Sequence, residues 1–239
     1  MIDLRGRVAV VTGAGGGIGG AIARALSAQA ATVWLIGRKR QRLDEVAESL
    51  GEPSLAVVHP ADLTDDDDVA TLAARLARET GRVDVLVHAA GIIELADVER
   101  AGAEAFDAQY RTNTRAPYVV TRALLPLLRS CRGQIVFVNS TSGIRAVRGQ
   151  SQYAASKHAL RAMADSLRDE VNADGIRVLT IFPGRTATPM QAALHEIEAQ
   201  PYRPERLVQP ADVATMVMAA LTLPATAEVT EIRIRPLLK

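Results

Sequence analysis

A serine, a tyrosine and a lysine at two fixed separations carry the chemistry that this sequence suggests: Ser140, Tyr153 thirteen positions on, and Lys157 four positions after that. Tyr153-Ala154-Ala155-Ser156-Lys157 continues into His158-Ala159-Leu160-Arg161-Ala162-Met163 and reads as helix. A separation of four puts both side chains on one helical face, roughly 5–6 Å apart at their Cβ atoms. A phenol beside an ammonium group is an acid whose proton can be made mobile, which suits hydride transfer between an alcohol and a carbonyl. Free tyrosine titrates near ~10, and bringing it towards neutrality takes roughly 3–4 kcal/mol of electrostatic help. One close, poorly solvated cation can supply that. An isolated Tyr-x-x-x-Lys pair more often reads as a core tyrosine with a solvated lysine, so its company in the chain decides its meaning.

That company begins near the N-terminus. Val8-Ala9-Val10-Val11-Thr12 is a β-branched, apolar run of the buried-strand kind. It empties into Gly13-Ala14-Gly15-Gly16-Gly17-Ile18-Gly19, and Ala21-Ile22-Ala23-Arg24-Ala25-Leu26 follows as helix. Strand, glycine turn and helix stand in the order a dinucleotide site requires. Missing side chains let a pyrophosphate approach the backbone, and unpaired N–H groups at the helix start point at it.

Stepping from motifs to elements, strand and helix signals alternate along the whole chain. Strands are expected near 7–12, 32–36, 55–58, 84–87, 134–139, 176–181 and 229–234. Helices are expected near 18–29, 40–50, 66–80, 104–130, 152–173 and 211–222, with a short one near 190–199. Such alternation predicts an α/β fold, a doubly wound parallel sheet of seven strands with helices on both faces and the active site at the carboxyl ends of the strands. Thr64 fits an N-cap before the acidic run Asp65-Asp66-Asp67-Asp68, whose charges suit a helix dipole. Pro117 and Pro126 fall inside the 104–130 helix as shape determinants, and Cys131 reads as a helix-end packing residue.

With 239 residues and 48% hydrophobic content, the chain can form one domain over 1–239. Twenty-eight basic against 27 acidic residues give no global field to attract nucleic acid or an anionic membrane surface. A single cysteine excludes an internal disulfide, and no Cys/His spacing suggests a metal. The first strand arrives within seven residues and no apolar run approaches about 18 residues, so neither a signal peptide nor a membrane span is expected. A cytoplasmic enzyme is the default expectation.

Taken together, these motifs resemble the short-chain dehydrogenase/reductase family of the classical type, over nearly the full length. Thr12-Gly13-x-x-x-Gly17-Ile18-Gly19 fits its cofactor motif, Asp62 in Ala61-Asp62-Leu63 its adenine contact, and Pro183-Gly184-x-x-x-Thr188 the segment that closes over the nicotinamide. The resemblance implies a Rossmann-type sheet in the order 3-2-1-4-5-6-7 and a catalytic tetrad of Asn113, Ser140, Tyr153 and Lys157. Asn139-Ser140-Thr141-Ser142-Gly143 offers three hydroxyls; Ser140 has the family's spacing to Tyr153, and Ser142 stands second as a substrate contact. The resemblance implies cofactor contacts at Gly13, Gly15, Gly16, Gly17, Ile18, Gly19, Asp62, Leu63, Ala90, Gly91, Tyr153, Lys157, Pro183, Gly184 and Thr188. In this scheme Ser140 and Tyr153 bind the substrate oxygen, Tyr153 transfers the proton, Lys157 lowers the tyrosine's pKa and holds the nicotinamide ribose, and Asn113 holds a relay water.

Ile36-Gly37-Arg38-Lys39-Arg40 bears on which dinucleotide is used. NAD-preferring relatives place an acid after this strand for the ribose 2′-hydroxyl, whereas Gly37 and Arg38 suit a 2′-phosphate, held by charge-assisted bonds of roughly 1.5–3 kcal/mol. NADP(H) is therefore expected over NAD(H), with Arg38 acting largely alone or with Lys39, because the glycine turn carries no second base. Read without the family, Arg38, Lys39 and Arg40 are solvated charges opening a helix.

Two departures from the family pattern stand out. His88-Ala89-Ala90-Gly91 replaces a usual pair of asparagines, so Ala89 puts a supporting hydrogen bond in doubt, and His88 reads either as a strand-backbone partner or as a cofactor contact. The C-terminal segment 229–236 lacks the paired glycines of acyl-carrier-protein reductases. The expected activity is an NADP(H)-dependent oxidoreductase interconverting a secondary alcohol and a ketone, or an alcohol and an aldehyde; the alternative is a non-catalytic NADP(H)-binding sensor or scaffold. Residues 185–205 are the expected substrate lid. They mix Met190, Leu194, Ile197 and Tyr202 with Arg185, His195, Glu196, Glu198 and Arg203, and with Ile92, Ile93, Ile144 and Val147 they suggest an aliphatic pocket for a small-molecule substrate. Relatives pair the 104–130 and 152–173 helices, implying a homodimer or homotetramer.

Overall fold

Seven short apolar runs form the strands β1 (Val8–Thr12), β2 (Thr32–Gly37), β3 (Ala56–Pro60), β4 (Val85–His88), β5 (Gln134–Val138), β6 (Arg177–Pro183) and β7 (Glu231–Ile234). The structure is a computed structural model and describes residues 2–237. All strand pairs are parallel, in the order β3-β2-β1-β4-β5-β6-β7. The sheet is therefore the expected Rossmann-type one, and its order reverses between β1 and β4.

Among the described residues, eight α-helices cover it: α1 (Gly17–Ser27), α2 (Arg40–Glu48), α3 (Asp66–Glu79), α4 (Ala103–Tyr110), α5 (Ala116–Arg129), α6 (Ser151–Val171), α7 (Pro189–Ile197) and α8 (Pro210–Leu221). Because both faces are covered, the residues of the central strands β1, β4 and β5 are all buried, and successive ones alternate between two cores. Ala9, Val11, Val33, Leu35 and Ile181 pack with Leu26 of α1 and Val213 and Val217 of α8. Val10, Ile36, Ile135 and Phe137 pack with Leu72 of α3, Leu124 of α5 and Leu160 of α6. Among the described residues, no helix is long and apolar enough to cross a membrane.

The structure departs from the sequence-based expectation at three places. The 104–130 helix is not uniform: α4 and α5 are joined by a π-helical turn, Arg111–Arg115. Pro117 consequently sits in the first turn of α5, and only Pro126 lies inside that helix. An α-helical Pro117 would owe an N–H to the Asn113 carbonyl, which proline lacks, and the wider turn falls at that point. The cap of α3 is Asp65, whose carboxylate accepts from Asp67 N at 2.8 Å; Thr64 instead donates through Oγ1 to Asp62 at 2.8 Å. Finally, buried His88 bonds neither strand backbone nor the glycine-turn cleft. Its Nε2 lies 2.8 Å from Thr121 Oγ1 and its ring stacks on Phe137 at 4.9 Å, and burial pulls it down to about 3, so it is neutral.

The seam between β1 and β4 is tied at both ends. At the amino end, the Asp84 carboxylate accepts from Val8 N (2.9 Å), Arg7 (2.8 Å) and Arg82 (2.8 Å). Burial pushes that carboxyl up, but the bonds from Arg82, Val8 and Arg7 outweigh it and leave Asp84 below the usual range. At the carboxyl end, Thr12 Oγ1 accepts from Ala89 N (3.1 Å) and Ala90 N (3.3 Å).

Candidate active site

The glycine turn after β1 forms one wall of a cleft of about 330 Å³ at the order reversal. Gly13 has φ +65°, and a Cβ there would lie 2.6 Å from Ala90 N, so only glycine allows β1 and the β4 loop to meet. Gly16 has φ +152° and would direct a Cβ into open space. No side chain caps α1 and its first turn holds no acid, which leaves its leading N–H groups and positive dipole end to an anion. Gly13, Gly15, Gly16, Gly17, Ile18, Gly19, Ala90 and Gly91 all line this cleft, together with Tyr153, Lys157 and Thr188. The cradle fits a dinucleotide pyrophosphate and its neighbouring ribose.

Helix α6 and the end of β5 bring the reactive groups to the same cleft. Tyr153 and Lys157 are 9% and 4% exposed, and Lys157 Nζ lies 5.9 Å from the Tyr153 ring centroid. Nζ donates to Val138 O at 3.1 Å. Burial pulls Lys157 down to about 8. Burial also raises Tyr153, and the Ser140 hydroxyl brings it back only in part. In the protein alone, desolvation of both groups thus dominates over the depression of Tyr153 by Lys157 expected from their spacing. Ser140 caps a short 3₁₀ turn, its Oγ accepting from Ser142 N at 3.1 Å.

Asn113, wholly buried in the π turn, spends its side chain on structure. Its Oδ1 accepts from Ile92 N and its Nδ2 donates to Ile92 O, each at 2.9 Å, with a further bond to Ser156 Oγ at 3.0 Å. It shapes the 91–93 loop beside Lys157; its amide does not point into either cleft.

Tyr153 also lines a second cleft of about 420 Å³, shared with Ser140, Ser142, Gln150, Pro183, Gly184 and Thr188. Its apolar lining includes Ile93, Leu95, Val147, Met190 and Leu194. Of the expected aliphatic wall, Ile92 faces the glycine-turn cleft, and Ile144 and Ile197 line neither space. Thr188 Oγ1 caps α7 by accepting from Gln191 N at 3.2 Å, while its methyl approaches Gly17. The 185–205 segment is anchored by paired bonds from Arg185 to Glu198, both 2.7 Å.

The remaining predicted contacts lie further along the sheet edge. Asp62 accepts from Thr64 N and Oγ1 and, with Thr64 and Arg115, lines a separate open depression. Those bonds hold its carboxyl below the ordinary value, with a smaller contribution from the Arg38 charge. Leu63 is buried. Arg38 is exposed.

Several working residues carry no local signal in the sequence. Asn139 is buried and joins two catalytic elements, accepting from Ser140 N at 2.8 Å and donating to Lys157 O at 3.0 Å. Ser156 links Asn113 to Tyr153 O at 2.7 Å. Gln150 Oε1 accepts from Ser142 Oγ at 2.9 Å. Arg42, one turn beyond Arg38, lies with its Cβ 3.1 Å from where a Gly15 Cβ would be. The stem of Arg42 therefore packs against the glycine turn from α2, while its guanidinium pairs with Glu45 at 3.0 Å. Thr12, part of the glycine motif, supplies the link left in doubt by Ala89. Gln150 could have been flagged by its place beside Tyr153; Arg42, Asn139 and Ser156 make contacts across the fold that no spacing announces.

Comparison with known proteins agrees with this geometry. The sequence pattern of the short chain dehydrogenases matches residues 7–199. An uncharacterized oxidoreductase of Staphylococcus epidermidis is 33% identical over 237 residues, covering 99% of this chain and all of that one. One from Staphylococcus saprophyticus is 32% identical over 239 residues, with 99% and 100% coverage. Among solved structures, alcohol dehydrogenase from the archaeon Thermococcus sibiricus complexed with 5-hydroxy-NADP superposes with a TM-score of 0.88 at 28% identity, covering 98% and 97% of the chains. A variant of actinorhodin polyketide ketoreductase with NADPH gives 0.88 at 28% identity over 96% and 95%.

Proposed function

We propose that this chain, which belongs to the short-chain dehydrogenase family and is an oxidoreductase of that kind, interconverts a secondary alcohol and a ketone, or an alcohol and an aldehyde, using NADP(H). The observation that carries the proposal is the position of Tyr153, which borders both the glycine-turn cleft and the cleft holding Ser140. A phenol shared by a dinucleotide cradle and a substrate space is placed to move a proton while carbon gains or loses a hydride. The bound nicotinamide dinucleotide supplies or takes up that hydride.

In reduction, Ser140 Oγ and Tyr153 Oη hold the substrate oxygen and Tyr153 donates its proton; in oxidation the tyrosinate accepts it. General acid–base catalysis of this kind contributes roughly 10²- to 10⁴-fold. Lys157 binds ribose hydroxyls through its ammonium group, and being protonated when it does so it offsets the burial of the phenol. Asn113 and Asn139 are positioning residues that fix the 91–93 loop and the backbone of Ser140 and Lys157, and the main-chain carbonyl of Asn113 is the atom that holds a relay water. Gly13 through Gly19 take the pyrophosphate, Ala90, Gly91, Pro183, Gly184 and Thr188 the nicotinamide end, and Asp62 and the Leu63 backbone the adenine.

Preference for NADP(H) is supported by Arg38, by Arg42 against the glycine turn, and by the absence of an acid at Gly37. NADP-complexed solved relatives are consistent with it. The whole chain is read as one domain with 185–205 as lid, and as a homodimer or homotetramer, for which exposed Phe106, Tyr110 and Tyr118 on α4 and α5 provide an apolar face. The test follows nicotinamide fluorescence as NADPH or NADH is titrated in and ketones or aldehydes are added. Tight NADPH binding with substrate-dependent oxidation supports the proposal; binding without turnover across a wide panel, or an equal preference for NADH, removes its catalytic or its cofactor half respectively.

A further inference from the structure

Beside the catalytic cleft lies a larger cavity of about 840 Å³. Thr141, Gly184, Arg185 and Glu198 line both spaces, so a molecule reaching past Ser140 enters it directly. Its charge is unlike that of the chain. Overall, 28 basic residues face 27 acidic ones, but this cavity carries Arg185, Arg203, Arg206 and Arg235 against the single acid Glu198. Arg185 is engaged by Glu198 through two bonds of 2.7 Å, and that pair neutralises itself. Arg203 and Arg235 meet no acid among the described lining residues.

Arg203 and Arg235 are built for reach from a fixed base. Each directly precedes a proline, Pro204 and Pro236, which confines its backbone to extended conformations. Neither makes a side-chain hydrogen bond or ion pair among the described residues. Arg235 is drawn to the cavity by Gly184: Gly184 N donates to Ile234 O at 2.8 Å, and a Cβ on Gly184 would come within 3.4 Å of Arg235 Cα. Arg203 approaches from the 185–205 segment, next to Tyr202, whose ring packs edge-on against His195 at 5.3 Å. Two planar guanidinium groups on residues lining one cavity match an oxyanion in a way that apolar substrates cannot use.

We infer that the substrate carries an anionic head, a carboxylate or a phosphate, that Arg203 and Arg235 receive in this cavity while its carbonyl or alcohol lies at Ser140 and Tyr153. This deepens the oxidoreductase reading and rests on it for the position of the reacting carbon. It divides the substrate into three parts: an anion held by the lid and the end of β7, a spacer between Thr141 and Glu198, and a reacting carbon against Met190 and Leu194.

The test compares acids with their uncharged counterparts. Keto acids whose ketone is at the penultimate carbon, from levulinate to oxooctanoate, are set against their methyl esters, and dihydroxyacetone phosphate against dihydroxyacetone. Binding is read by titration calorimetry and turnover by NADPH oxidation, in the wild type, in Arg203→Gln/Arg235→Gln and in Glu198→Gln. The anionic form is expected to bind roughly 10- to 100-fold better than the neutral one, in line with charge-assisted bonding. The double variant should lose that preference while esters bind as before, and Glu198→Gln, by releasing Arg185, should increase it, an outcome misfolding cannot imitate. The acid and phosphate arms show which head is preferred, and inorganic phosphate should compete with either.

Equal binding of acid and ester by the wild type, no detectable binding of any acid or phosphate at millimolar concentration, or a preference that survives in the double variant overturns the inference. Arginine-dependent acid binding with no NADPH oxidation by any compound leaves the anion site standing and sinks the oxidoreductase reading. Ester reduction without any preference for acids does the reverse.

Discussion

Asn113 holds Ile92 by both of its main-chain polar groups, accepting from N and donating to O at 2.9 Å each. Asn113 itself is wholly buried, while Ile92 borders the glycine-turn cleft. Asn113→Ala strands two backbone groups and the Ser156 hydroxyl, at about 1–3 kcal/mol for each group left unpaired. The expected loss is roughly 2–4 kcal/mol in urea denaturation, with cofactor affinity falling because the 91–93 loop loses its support. A stability change under about 0.5 kcal/mol, the size of an ordinary surface substitution, would show that the clamp is unimportant.

Tyr153→Phe separates binding from chemistry. The ring remains to fill the buried site, so NADPH affinity should stay within about three-fold, while kcat falls roughly 10²- to 10⁴-fold. Preserved turnover in stopped-flow measurements would remove Tyr153 from the mechanism.

Lys157 sets a pH dependence of stability with a definite sign. Burial lowers it from 10.5 to about 8, so between these values the unfolded chain binds more protons than the folded one. The cost of burying the charge is absent above about 10.5, grows as pH falls and is complete below about 8, amounting to about 3 kcal/mol. Stability of the protein without cofactor should therefore rise from pH 8 towards 10, up to the point where Tyr153, raised by burial, begins to oppose it. Lys157→Met should flatten this rise and increase the melting temperature at pH 7 while abolishing tight cofactor binding. Melting scans across that range, with identical slopes in both proteins, would refute the assignment.

Arg38 and Arg42 predict the cofactor preference together. Arg38→Ala should weaken NADPH roughly 10- to 100-fold and leave NADH nearly unchanged. Arg42→Ala, which also removes a bond to Glu45 at 3.0 Å, should produce a smaller loss of the same sign. Fluorescence titration checks both; parallel losses for the two dinucleotides would assign these arginines to general structure.

Gly13→Ala tests the packing that forms the cleft. The new methyl would meet Ala90 N at 2.6 Å in a backbone with φ +65°, so it forces β1 and the β4 loop apart. A destabilisation of roughly 1–3 kcal/mol is expected, with NADPH binding lost. Denaturation midpoints and titration on the same samples give the answer.

The sequence made the strands legible because buried parallel strands announce themselves as apolar runs, and the glycine turn and the Tyr153–Lys157 pair because each is local; the strand order came from the family resemblance. Element ends shifted by a residue or two. The π turn escaped because Pro117 reads as a kink in any helix, while its actual effect depends on which carbonyl it fails to serve. Thr64 reads as the cap of α3 in the sequence, but the loop geometry turns it towards Asp62 and leaves the cap to Asp65. His88 found its partner in Thr121, thirty-three residues away, and Asn139 and Ser156 act across elements that only folding brings together. Arg42 was hidden because its relation to Gly15 is a contact between α2 and the glycine turn.

The paired fastenings of the β1–β4 seam, Asp84 at one end and Thr12 at the other, have a mechanical consequence. A crevice whose two sides are riveted above and below resists opening along the β1–β4 line, so its walls stand at a set separation before any ligand arrives. Preorganisation of this kind spares the protein an ordering cost at that seam and leaves most of the entropy lost on binding to the ligand.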